Sequence, residues 1–157
     1  MPYDVDVQID PAITPEISPA EMRAIVEEAL RSLEQPDDVE LALIVTTDEQ
    51  MQELNRGFRG IDAPTDVLSF AASEGGDFVL PADLPPYLGD VIISLPAARR
   101  QAEERGRPLR DELALLIVHG CLHLLGYDHA EPEDQQAMWA RQADILRRLG
   151  VEPPPDL

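Results

Sequence analysis

Apolar and polar residues alternate from the start of the chain: Tyr3, Val5, Val7 and Ile9 against Asp4, Asp6 and Gln8. A period of two is the pattern of a half-buried strand. At 18–21, SPAE carries a helix start, with Ser18 as N-cap, Pro19 at the first helical position and Glu21 closing a capping box. Met22, Ile25, Val26, Ala29, Leu30 and Leu33 then recur at helical spacing up to about Glu34. VELALIVT at 39–46 is apolar enough for a central strand. TDEQ at 47–50 opens a short helix with Met51 and Leu54 inward and Gly57 as its end. Residues 58–66 read as loop, VLSF at 67–70 as a short strand, and the turn-rich, acidic stretch 72–86 as an excursion. LGDVIISL at 88–95 is a further strand. Ser94 and Pro96 then begin a helix that ends at Gly106. Asp111 and Glu112 suit the first turn of the next helix, from about Leu109 to Leu125, with Gly126 just past its end. A last helix, about Pro132 to Leu149, presents Met138, Ile145, Leu146 and Leu149 and stops at Gly150.

The expected order is therefore β-α-β-α-β-β-α-α-α. Strands and helices mix early and helices cluster late, which predicts an α+β fold: a small mixed four-stranded sheet covered by about five helices. No internal repeat or linker interrupts it, so residues 1–150 are expected to form one domain with a tail at 151–157. A chain of 157 residues with 44% apolar content can bury one core. No apolar run approaches the roughly 20 residues that span a bilayer. The N-terminus lacks the basic and apolar segments of a signal peptide. A single cysteine, Cys121, cannot pair within the chain. A cytoplasmic location is the default these features imply.

Charge changes the picture. The formal net charge is −19, from 12 basic and 31 acidic residues, and every basic residue is arginine. Broad, sequence-independent binding of nucleic acid depends on neutralising phosphates, so this balance argues against it. It leaves room for a local basic cleft.

All three histidines fall in eleven residues, HGCLHLLGYDH at 119–129. Helical residues four apart differ by about 40° around the axis, so His119 and His123 leave one face one turn apart. Gly126 lets the chain double back, which brings His129 round as a third ligand. Three protein nitrogens leave a coordination position open, the mark of a catalytic rather than a structural metal site. Zinc (Zn2+) is favoured by imidazole ligands, with nickel, cobalt and manganese as alternatives. Metzincin proteases use the same spacing but place a glutamate after the first histidine as general base. Here that position is Gly120. Cys121 points about 200° away from the histidines and reads as a core residue. Asp128 either orients a ligand or simply occupies the turn.

The eleven residues resemble the signature of the YbeY family of bacterial metal-dependent endoribonucleases, also described as rRNA maturation factors. FRGIDAPTDVLSF at 58–70, LGDVIIS at 88–94 and MWARQADIL at 138–146 are similar to further stretches of that family. The likeness runs from about Val39 to Gly150. It implies a zincin-like α+β fold, three histidine ligands, and cleavage of single-stranded RNA in rRNA precursor maturation and 30S quality control. It also implies two partners, a small-subunit ribosomal protein and an assembly GTPase, and no membrane. The family's arginine tied to activity falls on Arg59. Ala71 stands where the family often has proline.

Physical chemistry supports a phosphodiester over a peptide. A zinc ion lowers the pKa of its bound water to near 7, so hydroxide needs no neighbouring glutamate. Phosphodiester cleavage further requires positive charge on the non-bridging oxygens, which the planar guanidinium of Arg59 can supply in a bidentate way. Asp66 either orients Arg59, takes a proton or caps the loop. Arg99, Arg100, Arg105, Arg107 and Arg110 are interrupted by acids and read as a solvated face with i,i+4 pairs. Approach to RNA is then expected to rest on arginines local to the histidines, with a ribosomal partner supplying the rest. Two other readings stand beside the endoribonuclease: an assembly factor whose metal only holds the fold, and a metallopeptidase with a different base, against which Gly120 speaks.

Overall fold

The computed structural model describes residues 3–72, 87–127 and 131–153. Nine elements follow in the expected order: β1 (Asp4–Ile9), α1 (Pro19–Ser32), β2 (Glu40–Thr46), α2 (Asp48–Arg59), β3 (Val67–Ala71), β4 (Tyr87–Ser94), α3 (Leu95–Arg105), α4 (Leu109–Leu124) and α5 (Pro132–Arg148). The strands form one sheet in the order β1-β2-β4-β3. β1, β2 and β4 are parallel, and β3 joins β4 antiparallel as an edge. The chain is thus α+β with a mixed four-stranded sheet, as the hydrophobic pattern predicts. Among the described residues no helix is long and apolar enough to cross a membrane.

Several helix signals act as read from the sequence. The side chains of Ser18 and Ser94 accept the amides of Glu21 and Ala97, and Gly106 closes α3 in the left-handed conformation. One boundary differs. α2 runs through Gly57 to Arg59, and Gly60, at φ +73°, ends it instead. An interior glycine costs a helix only about 1 kcal/mol. The amides of Gly60 and Ile61 meanwhile bond to the carbonyls of Arg56 and Asn55. The stop therefore goes to the glycine whose left-handed turn satisfies helix carbonyls. Of the excursion expected at 72–86, residues 73–86 lie outside the described residues.

Alternation along the strands divides the apolar residues between two faces. Val5, Leu41, Leu43, Val45, Val91 and Ile93 join Met22, Ile25 and Leu30 of α1 and Leu113, Ile117 and Cys121 of α4 in the main core. On the other face Met51 and Leu54 of α2 cover Leu68, Phe70, Ile44 and Ile92. α4 is the central helix, buried along nearly its whole length. At its start the fully buried Glu112 accepts from Arg105 at 2.6 Å, tying α3 to α4.

α4 meets the sheet most closely at Gly120. A Cβ there would lie 2.6 Å from Val91 Cγ1 and 3.3 Å from Ser69 Oγ, and Ser69 donates a hydrogen bond to the Gly120 carbonyl at 3.1 Å. Val91 is fully buried and cannot withdraw. Gly120→Ala is therefore expected to destabilise the protein by up to about 2 kcal/mol in urea unfolding. Overpacking costs about 1–3 kcal/mol, and the gain in helix propensity returns only about 1. In a Val91→Ala background the same substitution should cost less, and an equal cost in both backgrounds would contradict the steric account.

Candidate functional site

The close approach at Gly120 carries the next turn of α4 to the edge of the sheet. His119 and His123 emerge there from one helix face, with their Nε2 atoms 3.1 Å apart and their rings edge-on at 4.6 Å. Gln142 of α5 places Oε1 2.9 Å from His119 Nδ1. An amide oxygen only accepts, so Nδ1 carries the proton and the lone pair of the neutral ring lies on Nε2. Trp139, also on α5, packs edge-on against the same ring at 5.7 Å. α5 thus fixes both the orientation and the tautomer of His119.

This arrangement suits a shared metal ion. Two nitrogens held at about 2.0–2.1 Å from one ion lie roughly 2.9–3.4 Å apart for ordinary ligand angles. A ligand histidine whose other nitrogen donates to an acceptor is the usual supporting contact. The predicted third ligand, His129, and Asp128 lie outside the described residues. Among the described residues no group of three or more His, Cys, Asp or Glu side chains is arranged to hold an ion.

The histidines open into a cleft of about 730 Å³ that follows the β3 edge. All five β3 residues line it, together with Gly126 and Tyr127 beyond α4 and Phe58, Arg59 and Asp66. Arg59 is exposed in this wall, on the last turn of α2 rather than in the loop expected from the sequence. A cation there also faces the negative end of the helix dipole. Asp66 accepts the Val67 amide at 2.8 Å and the Gln101 side-chain amide at 3.0 Å. These are the contacts of a residue that closes the loop onto β3, in the lining of the same cleft.

Arg141 donates to the hydroxyl of Tyr127 in the cleft lining at 3.3 Å, whereas four of the five arginines at 99–110 are engaged elsewhere. Arg99 pairs with Glu16, Arg100 with Asp48 at 2.9 Å, Arg105 with Glu112 and Arg110 with Glu21 at 3.7 Å. The pairs join different elements instead of neighbours at i,i+4, because acids of other elements face α3 and the start of α4. Acids also gather away from the histidines, at Asp4, Asp6, Glu40 and Asp90 around a hollow on the sheet. Among the described residues the charged lining of the histidine cleft is Arg59 and Asp66, one of each sign. Cys121 is buried in the core as expected, and burial pushes its thiol up to about 12.

The family model for "Endoribonuclease YbeY" matches residues 8–150. The chain belongs to the YbeY family. An "Endoribonuclease YbeY" of Roseiflexus sp. (strain RS-1) is 46% identical over 149 residues, 94% of this chain and 93% of that protein. That of Geobacillus kaustophilus is 48% identical over 119 residues, 74% and 76% of the two chains. A solution structure of TM1509 from Thermotoga maritima shares the fold, with TM-score 0.55 and 22% identity over 94% of this chain and 91% of that one. The resemblance carried by 119–129 and its three companion stretches is thus shown, and the match extends upstream of Val39.

Gln142 and Trp139 escape a reading of the sequence that seeks ligands alone. One signal was present: Gln142 interrupts the inward stripe of α5 between Met138 and Ile145, and it is 2% exposed. A buried amide requires a partner, and the histidine is that partner. Nitrogen-15 NMR of the metal-free protein, with neutral rings, is expected to show His119 protonated on Nδ1. Gln142→Leu should abolish that preference. A wild-type His119 protonated on Nε2 would overturn the assignment.

Proposed function

We propose that this chain is a metal-dependent endoribonuclease that cleaves single-stranded RNA, acting in the cytoplasm on rRNA precursors and in 30S quality control. The observation that carries this reading is the facing Nε2 pair of His119 and His123 beside Arg59 in one cleft. It stands in a chain whose relatives are named endoribonucleases. His119, His123 and His129 would hold the ion, with zinc favoured by their imidazoles. Such an ion supplies Lewis acidity and a water of low pKa. The chain's own residues do the rest. Gln142 keeps the His119 lone pair on Nε2. Arg59, exposed at the cleft wall, is positioned to pair with a phosphate and offset the charge that builds on its oxygens.

The metallopeptidase alternative loses ground to packing. The position where such an enzyme carries its glutamate is pressed against Val91, where even a methyl group does not fit. The family resemblance suggests as partners a small-subunit ribosomal protein and an assembly GTPase.

Metal-quantified protein incubated with single-stranded RNA tests the proposal. Cleavage is expected to fall about 10²-fold or more in Arg59→Ala and His119→Ala, by the scale of losing one charge-stabilising group. It should stop on chelation and return when zinc is restored. Intact RNA after incubation with fully metallated wild type, or cleavage by both variants as fast as by wild type, would defeat the enzyme reading and leave the assembly-factor one.

A further inference from the structure

α2 buries Met51 and Asn55 on one stripe, and Phe58 comes next on it. Phe58 is nevertheless 71% exposed, the most exposed large apolar side chain among the described residues. Its ring rests at 5.0 Å and 53° on that of Phe70, which β3 projects from the sheet. Both rings line the cleft that contains His119 and His123, and the next residue after Phe58 is Arg59. An aromatic surface left in water beside a cation, in a cleft of nucleotide size, matches how proteins bind unpaired bases: the ring stacks and the arginine meets the backbone.

We propose that Phe58, backed by Phe70, is the stacking platform for one base of the RNA substrate. The inference rests on the endoribonuclease reading and deepens it. Arg59 takes a phosphate adjoining the stacked nucleotide. A base within a duplex has both faces covered by its neighbours, so this platform selects unpaired RNA. Stacking is tolerant of base identity, because every base has a π-face. Among the described residues that line the cleft Arg59 is the one arginine, and it is thereby joined by a contact that owes nothing to charge, which suits an acidic protein.

The test is binding of a short, fluorescently labelled 2′-O-methyl RNA to the metallated protein. Phe58→Ala is expected to raise Kd about 5- to 150-fold, the range found for losing one stacked base. Phe58→Trp should restore binding and Phe58→Leu should not, while all three stay folded, with only a small drop in melting temperature where the contact with Phe70 is lost. Abasic nucleotides scanned along the strand should reveal one position where wild type loses the same factor and Phe58→Ala loses nothing more. Equal binding by wild type and Phe58→Ala, or full binding by Phe58→Leu, overturns the platform and leaves the nuclease reading intact. Failure of the wild type to bind single-stranded RNA overturns both.

Discussion

The contact between α4 and the sheet at Gly120 is the constraint on which the site depends. A hydrogen in place of a side chain lets the helix backbone reach Val91 and Ser69. The Ser69 hydroxyl then holds the Gly120 carbonyl, one residue from His119. Since β3 is the outermost strand of the sheet among the described residues, that contact brings the histidine turn to the sheet's border. Position 120 therefore answers to packing, and whatever chemistry the site performs must take its charged groups from other elements. α2 supplies the charge of Arg59, and α5 supplies a neutral acceptor, Gln142.

The order of elements was legible because each strand and helix carries its own periodicity and most carry their own caps. Ser18, Thr47 and Ser94 all accept amides of the first turn they precede. The end of α2 was misplaced because two glycines lie three residues apart, and local pattern does not say which one turns left-handed. That moved Arg59 from loop to helix. His119 and His123 were legible because i,i+4 spacing converts directly into proximity. Gln142 was not, because its partner lies 23 residues away on another helix. Nor was the pairing of Arg99, Arg100 and Arg110, whose acids come from distant segments.

The acidity of the chain is distributed rather than overcome. Arginines on α3 and the start of α4 are spent on ion pairs, and such exposed pairs contribute little to stability. The sheet hollow around Asp4, Asp6, Glu40 and Asp90 is acidic, whereas among the described residues the histidine cleft sets Arg59 against Asp66. An exposed Phe58 on a half-buried Phe70, next to Arg59, is a different solution from a broad basic groove. It places the selectivity for RNA in a few contacts of defined geometry.

The central claim is that the facing histidines form part of one ion site. Anomalous diffraction at the zinc edge, from crystals of the protein grown with stoichiometric zinc, measures this directly. The account predicts one strong peak within coordination distance of His119 Nε2, His123 Nε2 and a ring nitrogen of His129. A fully occupied ion held elsewhere, or no peak between the two Nε2 atoms, would contradict it.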